Sequence, residues 1–100
     1  MSAMKNLPKF QPSLETFRRY FEILQGQRDC LLVAVRERRY EEIAAIAHKL
    51  EGSGGLYGFD LLSERASLLF QAGEAKNEKE TQHLTTLVNE TINQILIHKA

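Results

Sequence analysis

Apolar residues recur at steps of three and four positions along most of this 100-residue chain, and this spacing constrains the fold more than any other feature. Such a period places apolar side chains on one face of an α-helix, whereas a strand needs an alternation that no segment keeps for long. The pattern predicts four amphipathic helices, at about residues 13–37, 40–56, 60–73 and 78–97, after a flexible N-terminal arm at 1–12. Short links between amphipathic helices favour an antiparallel up-down bundle. The predicted fold is therefore all-α, a four-helix bundle over residues 13–98.

Capping residues mark several of the predicted helix ends. Ser13, directly after Pro12, is suited to cap the first helix. Asn77 and Glu80 have the spacing of a capping box, in which each side chain accepts the backbone N–H of the other. Gly73 is expected to cap the carboxyl end of the third helix.

Composition and charge exclude several classes of function. The chain has 13 basic and 13 acidic side chains, whereas a nucleic-acid-binding protein usually carries a basic excess or stripe. Cys30 is the only cysteine, so no intramolecular disulfide forms, and no metal site is expected. The longest apolar stretch, residues 31–35, is far too short to cross a bilayer, and the N-terminus lacks the features of a signal peptide. We therefore expect a cytoplasmic protein without a nucleic-acid or membrane partner.

One histidine, His48, occupies an unusual position on the second predicted helix. With Ile43 as the reference on a helical wheel, Leu50 and Gly54 face the core, while His48 lies about 140° away, towards solvent. Small residues stand near it on the wheel: Ala44 and Ala45 one turn back, Gly52 one turn on and Gly55 two turns on. Exposed helix faces normally carry long polar side chains, so a patch of small residues around an exposed histidine is unusual.

The glycines after His48 leave two alternatives open. If the helix continues through Gly52, Gly54 and Gly55, the glycines cost roughly 2–3 kcal/mol relative to alanine, and close approach of a second macromolecule would explain them. If the helix ends at Gly52, the following residues form an ordinary loop. A neutral imidazole is a good nucleophile near pH 7, although an exposed histidine without a function is the simpler interpretation of any single His.

The segment 48–58, His-Lys-Leu-Glu-Gly-Ser-Gly-Gly-Leu-Tyr-Gly, resembles the signature of histidine-phosphotransfer (HPt) domains. In that family, an apolar residue stands two positions after the histidine, a glycine four positions after, small residues next, and another glycine ten positions after. All of these occur here, and the resemblance extends over about residues 13–97 through the helix pattern.

The resemblance implies a four-helix bundle whose exposed His48 exchanges a phosphoryl group with aspartates of receiver domains in a two-component phosphorelay. Its partners would be a response-regulator receiver domain, a hybrid histidine kinase, or both. Because the receiver brings the Mg²⁺ and most catalytic groups, this chain would need no cofactor and would have no autonomous active site. We also expect a monomer. The docking surface would include Ala44, Ala45, Gly52 and Gly55, with Lys49 as a possible phosphate contact.

One position departs from the family pattern. A basic residue commonly stands three positions after the histidine, whereas this chain has Glu51. A carboxylate one turn from a phosphorylated imidazole should repel it, and Lys49 lies about 100° further round the helix. Glu51 therefore keeps an alternative open: a degenerate HPt-like bundle that acts as a non-phosphorylated protein-interaction module. An enzyme with its own active site is disfavoured, because no second catalytic group or cofactor motif lies near His48.

Overall fold

The computed structural model describes residues 10–98, and within this range the protein contains four α-helices and no strand. Helix α1 spans Leu14–Arg36, α2 spans Tyr40–Leu56, α3 spans Asp60–Glu74, and α4 spans Glu78–Ile97. Consecutive helices pack against each other, and α4 closes the bundle against α1. The prediction of an all-α four-helix bundle is confirmed, and each helix begins and ends within one residue of its predicted bounds.

Part of the predicted N-terminal arm, residues 1–9, lies outside the described residues. Residues 10–12 precede α1 without helical structure. The ring of Phe10 packs edge-on against Tyr57, with ring centroids 5.3 Å apart. The described end of the arm therefore contacts the bundle near the junction of α2 and α3.

The core lies along the axis of the bundle and draws large aliphatic residues from all four helices. Burial of one such side chain contributes about 1.5–3 kcal/mol to folding. The fully buried aliphatic side chains are Leu24, Leu31, Ile43, Leu50, Leu62, Leu69, Val88 and Ile92.

The three turns between the helices share one backbone conformation, the Schellman motif. In each, the second residue after the helix is left-handed: Arg38 at φ 55°, Gly58 at φ 86° and Lys76 at φ 54°. The N–H of the next residue returns to a carbonyl in the last turn of the preceding helix. These hydrogen bonds are Arg39 N to Ala34 O at 2.9 Å, Phe59 N to Gly54 O at 2.7 Å, and Asn77 N to Ala72 O at 3.1 Å.

The predicted caps at Ser13 and Asn77 are present. The side chain of Ser13 accepts the backbone N–H of Thr16 at 3.1 Å, and that of Asn77 accepts the backbone N–H of Glu80 at 3.0 Å. The capping box is half formed, because the backbone N–H of Asn77 donates to the Ala72 carbonyl of the preceding turn instead.

The prediction that Gly73 caps α3 is wrong. Gly73 is a buried residue inside α3, and the left-handed position of this turn belongs to Lys76. A Cβ atom at Gly73 would lie 3.3 Å from the backbone nitrogen of Ala44 on α2. This glycine therefore serves the packing of two helices rather than the end of one.

Close packing of α2 on α3 continues towards the other end of the pair. A Cβ atom at Gly54 would lie 3.2 Å from the backbone nitrogen of Ser63 and 3.3 Å from Leu62 Cγ. The Ser63 hydroxyl donates a 2.8 Å hydrogen bond to the backbone carbonyl of Glu51. The two helices are thus held together both near the amino-terminal and near the carboxyl-terminal part of α2.

An aromatic cluster joins the carboxyl end of α2 to α1. The rings of Tyr20 and Tyr57 stack in parallel with centroids 3.9 Å apart, and Phe59 continues the stack beside Tyr20. The Tyr20 hydroxyl forms a 3.0 Å hydrogen bond with the hydroxyl of Ser53. Burial is the main reason that the pKa of Tyr20 is raised; the bond to Ser53 opposes this and Tyr57 adds to it. The cluster supports the glycine-containing end of α2.

Candidate functional site

Helix α2 continues through Gly52, Gly54 and Gly55 and ends at Leu56, so the interpretation of the residues after Gly52 as a loop is wrong. Each glycine inside a helix costs about 0.5–1 kcal/mol relative to alanine. Packing against α3 accounts for Gly54, and the left-handed turn accounts for Gly58, which lies beyond the helix. Neither explanation applies to Gly52 or Gly55.

His48 is exposed on α2, one turn before Gly52, and its imidazole lies against the ring of Phe70 on α3. The two ring centroids are 5.5 Å apart, and the ring planes are inclined by 45°. Within residues 10–98, no side chain or carbonyl forms a hydrogen bond or an ion pair with the imidazole. Among the described residues, the imidazole of His48 therefore has an aromatic ring on one side and no hydrogen-bonded base.

The small residues predicted around His48 fall into two groups. Ala45 and Gly52 lie on the exposed face of α2, and a Cβ atom at Gly52 would meet nothing within 4 Å. Gly55 is exposed as well, and its Cβ would make an ordinary 3.5 Å contact with the Ser63 hydroxyl. Ala44, in contrast, is only 4% exposed and packs against α3. The open space beside the imidazole is thus formed chiefly by Ala45, Gly52 and Gly55.

The two charged residues nearest in sequence to His48 lie on different sides of α2. Lys49 is exposed on the side away from α3. Glu51 is half-buried, and it lines an open groove between α2 and α3. Asp60 and Glu64 of α3 line the same groove, which makes this side of the site acidic.

Phe70 is the residue of this site that the sequence analysis misses. Its place in the apolar period of α3 indicates a core residue, and it does pack against the core while half-buried. No sequence signal marks its contact with His48, because that contact depends on the register of α3 against α2.

No three side chains of the types His, Cys, Asp and Glu are grouped to hold a metal ion anywhere within residues 10–98. Across the same residues, every helix is too short or too polar to cross a membrane.

Comparisons of this chain with protein-family models, with curated proteins and with solved structures returned no match.

Proposed function

We propose that this protein is an HPt-type phosphocarrier in which His48 accepts a phosphoryl group from an aspartyl phosphate of one receiver domain and donates it to an aspartate of another. The observation that carries the proposal is the exposed imidazole of His48 one helical turn from Gly52. Gly52 weakens the helix, and no contact within residues 10–98 requires it. Room for a partner's active-site loops over His48 explains both features together.

The transfer needs one group from this chain. The lone pair of a neutral ring nitrogen of His48 forms a bond to phosphorus while the bond from phosphorus to the aspartyl oxygen breaks. The electron pair of the broken bond remains on the aspartate as carboxylate, and the proton on the other ring nitrogen stays in place. The reverse sequence passes the phosphoryl group to the second receiver.

The division of labour follows from what surrounds His48. Charge that develops on a transferring phosphoryl group is usually stabilised by cations such as Mg²⁺, lysine or arginine. The groove between α2 and α3 that Glu51 lines, one turn after His48, carries the carboxylates of Glu51, Asp60 and Glu64 instead. The partner receiver would therefore supply the Mg²⁺ and most of the catalytic groups, and this chain would supply the nucleophile and a docking surface. A cytoplasmic monomer remains our prediction for the working protein.

The decisive experiment measures phosphotransfer from a panel of phosphorylated receiver domains to three forms of this protein. We expect acid-labile label on the wild type and on His83→Gln, and none on His48→Gln. His83 is a matched control because it is an exposed histidine on another helix, α4. Label that persists on His48→Gln would place the acceptor elsewhere and contradict the proposal.

The half-buried carboxylate of Glu51 favours one competing function, a bundle of this type that binds a receiver without phosphotransfer. Under that function, at least one receiver would bind the wild type and His48→Gln equally, while no receiver transferred label to either. This outcome would replace the phosphocarrier with an interaction module.

Glu51 also makes the phosphorylated state a sensitive test. We expect Glu51→Lys to lengthen the lifetime of phospho-His48, because a like charge one turn away is replaced by an opposite charge. Partial solvent exposure limits the effect to about twofold to tenfold. The lifetime is measured by loss of label after removal of the receiver, with Glu41→Lys, on the exposed first turn of α2, as control. Equal lifetimes for wild type and Glu51→Lys would show that Glu51 does not act on the phosphate.

A further inference from the structure

The contact between His48 and Phe70 bears on the orientation of the imidazole as well as on packing. A histidine on an exposed helix face normally samples more than one rotamer, and its two ring nitrogens then alternate towards solvent. Here the ring of Phe70 stands 5.5 Å from the imidazole, centroid to centroid, at an inclination of 45°. This geometry falls within the range of favourable contacts between aromatic rings.

The position of Phe70 is fixed by contacts on both sides of it. Towards the end of α3, Gly73 lies against Ala44, which is one turn before His48. Towards the start of α3, the Ser63 hydroxyl is bonded to the carbonyl of Glu51, which is about one turn after His48. These two contacts show that α2 and α3 run antiparallel, and they lie on either side of the level at which Phe70 meets the imidazole.

Hydrogen bonding within residues 10–98 does not orient the imidazole of His48. Histidines in catalytic and metal sites are commonly oriented by a carboxylate or a backbone carbonyl on one ring nitrogen. His48 has no such partner within residues 10–98. Phe70 is the ring in contact with the imidazole, and it belongs to the other helix of the pair.

We infer that Phe70 is a positioning residue for His48: its ring restricts the imidazole to one orientation, so that a single ring nitrogen is presented to the incoming phosphoryl group. The inference rests on the proposed function of His48 as phosphoacceptor. Its physical basis is that the receiver's aspartyl phosphate approaches from a fixed direction, so an imidazole already turned towards it reacts from a larger fraction of its conformations.

The first test examines the unphosphorylated protein by NMR, and it does not depend on any partner. Phe70→Leu keeps an apolar side chain in the core but removes the aromatic wall. We expect the coupling constants of the His48 side chain to indicate one rotamer in the wild type and in Phe70→Tyr, and averaging over rotamers in Phe70→Leu. Phe17→Leu is the matched control, because Phe17 is also half-buried but packs against Phe21 and Tyr57.

The second test examines which ring nitrogen is phosphorylated. Phosphoramidate, a small donor without a docking surface, is expected to give one phosphohistidine isomer on the wild type and a mixture of the two isomers on Phe70→Leu. The rate of transfer from a receiver is expected to fall about 10-fold in Phe70→Leu and to recover in Phe70→Tyr. A loss of bundle stability alone would not change the isomer ratio. It would also affect Phe17→Leu and Phe70→Leu alike, whereas loss of a positioning contact affects Phe70→Leu only.

The outcomes separate the two proposals. One rotamer and one isomer in Phe70→Leu, with helix content retained, would overturn the positioning role while leaving the phosphocarrier intact. Failure of every receiver to phosphorylate the wild type would overturn the proposed function, whereas the NMR couplings and the phosphoramidate isomers would still decide the role of Phe70.

Discussion

Two glycines of α2, Gly52 and Gly54, are separated by one residue and lie in opposite surroundings. Gly54 is buried, and a Cβ atom there would lie 3.2 Å from the backbone of α3. Gly52 is exposed, and a Cβ atom there would meet nothing within 4 Å. Close packing against α3 therefore requires a glycine at position 54, whereas no contact among the described residues requires one at position 52.

The two glycines differ in whether packing inside the bundle accounts for them. The buried face explains itself, because α2 and α3 approach each other only if Gly54 and Gly73 lack a side chain. On the exposed face, Gly52 lowers helix stability, and no packing contact among the described residues compensates for this. The proposed approach of a receiver domain over His48, one turn away, would give Gly52 a reason that the described residues do not supply.

The largest expected effect comes from filling the buried face. Gly54→Val should lower the free energy of unfolding by about 1–3 kcal/mol, because the new side chain must push α3 away at Ser63 and Leu62. Urea denaturation followed by circular dichroism measures the change. Unaltered stability would mean that the α2–α3 contact yields easily, and that close packing on this face does not require a glycine at position 54.

Filling the exposed face should have the opposite sign. Gly52→Ala is expected to raise the free energy of unfolding by about 1 kcal/mol, since alanine is the better helix former and nothing obstructs its Cβ. It should also slow transfer from a receiver to His48. Gly26→Ala is the matched control: Gly26 is exposed within α1 with nothing near its Cβ, so the same stabilisation should leave transfer unchanged. Equal transfer rates for both variants would remove the functional reason for Gly52.

The left-handed turn positions form a third class, where a glycine would help but is absent. Lys76 has φ 54°, which is unfavourable for a residue with a Cβ atom. We expect Lys76→Gly to raise the free energy of unfolding by about 0.5–1 kcal/mol. Gly58→Ala, at the equivalent position after α2, should lower it by a similar amount. The same sign for both substitutions would contradict the shared conformation of the turns.

The smallest effect concerns Ser53, which lies between Gly52 and Gly54 and bonds to Tyr20. Tyr20→Phe should lower the free energy of unfolding by about 0.5 kcal/mol at neutral pH. Because burial raises the pKa of Tyr20 above its ordinary value of 10.0, the folded state holds the phenol proton more tightly than the unfolded state. The stability that depends on the protonated phenol of Tyr20 is therefore fully present below pH 10 and is lost as the pH rises through the raised pKa.

The alkaline branch of stability checks that sign. The wild type should lose stability above pH 10 more steeply than Tyr20→Phe, while Ser53→Ala, which keeps the phenol, should retain the steep branch. Parallel curves for the wild type and Tyr20→Phe would show that Tyr20 does not titrate differently in the folded state.

Helix ends were predictable from the sequence because local chemistry determines them. The hydroxyl of Ser13 and the amide of Asn77 accept the orphan N–H groups of their own helices, and such bonds need no distant partner. Gly73 shows the limit of this reasoning. It stands where a capping glycine is expected, but its missing side chain admits Ala44 from another helix, which the local pattern does not reveal.

The sequence by itself determined the four helices, the buried face of α2 and the exposure of His48, since all of these follow from the 3.6-residue period within single segments. Only the tertiary structure decided that α2 continues past Gly52, that Gly54 and Gly73 serve the contact between α2 and α3, and that Phe70 faces His48. These features depend on the register and distance between two helices. Many weak side-chain contacts across the core set that register together, so no short segment of the chain encodes it.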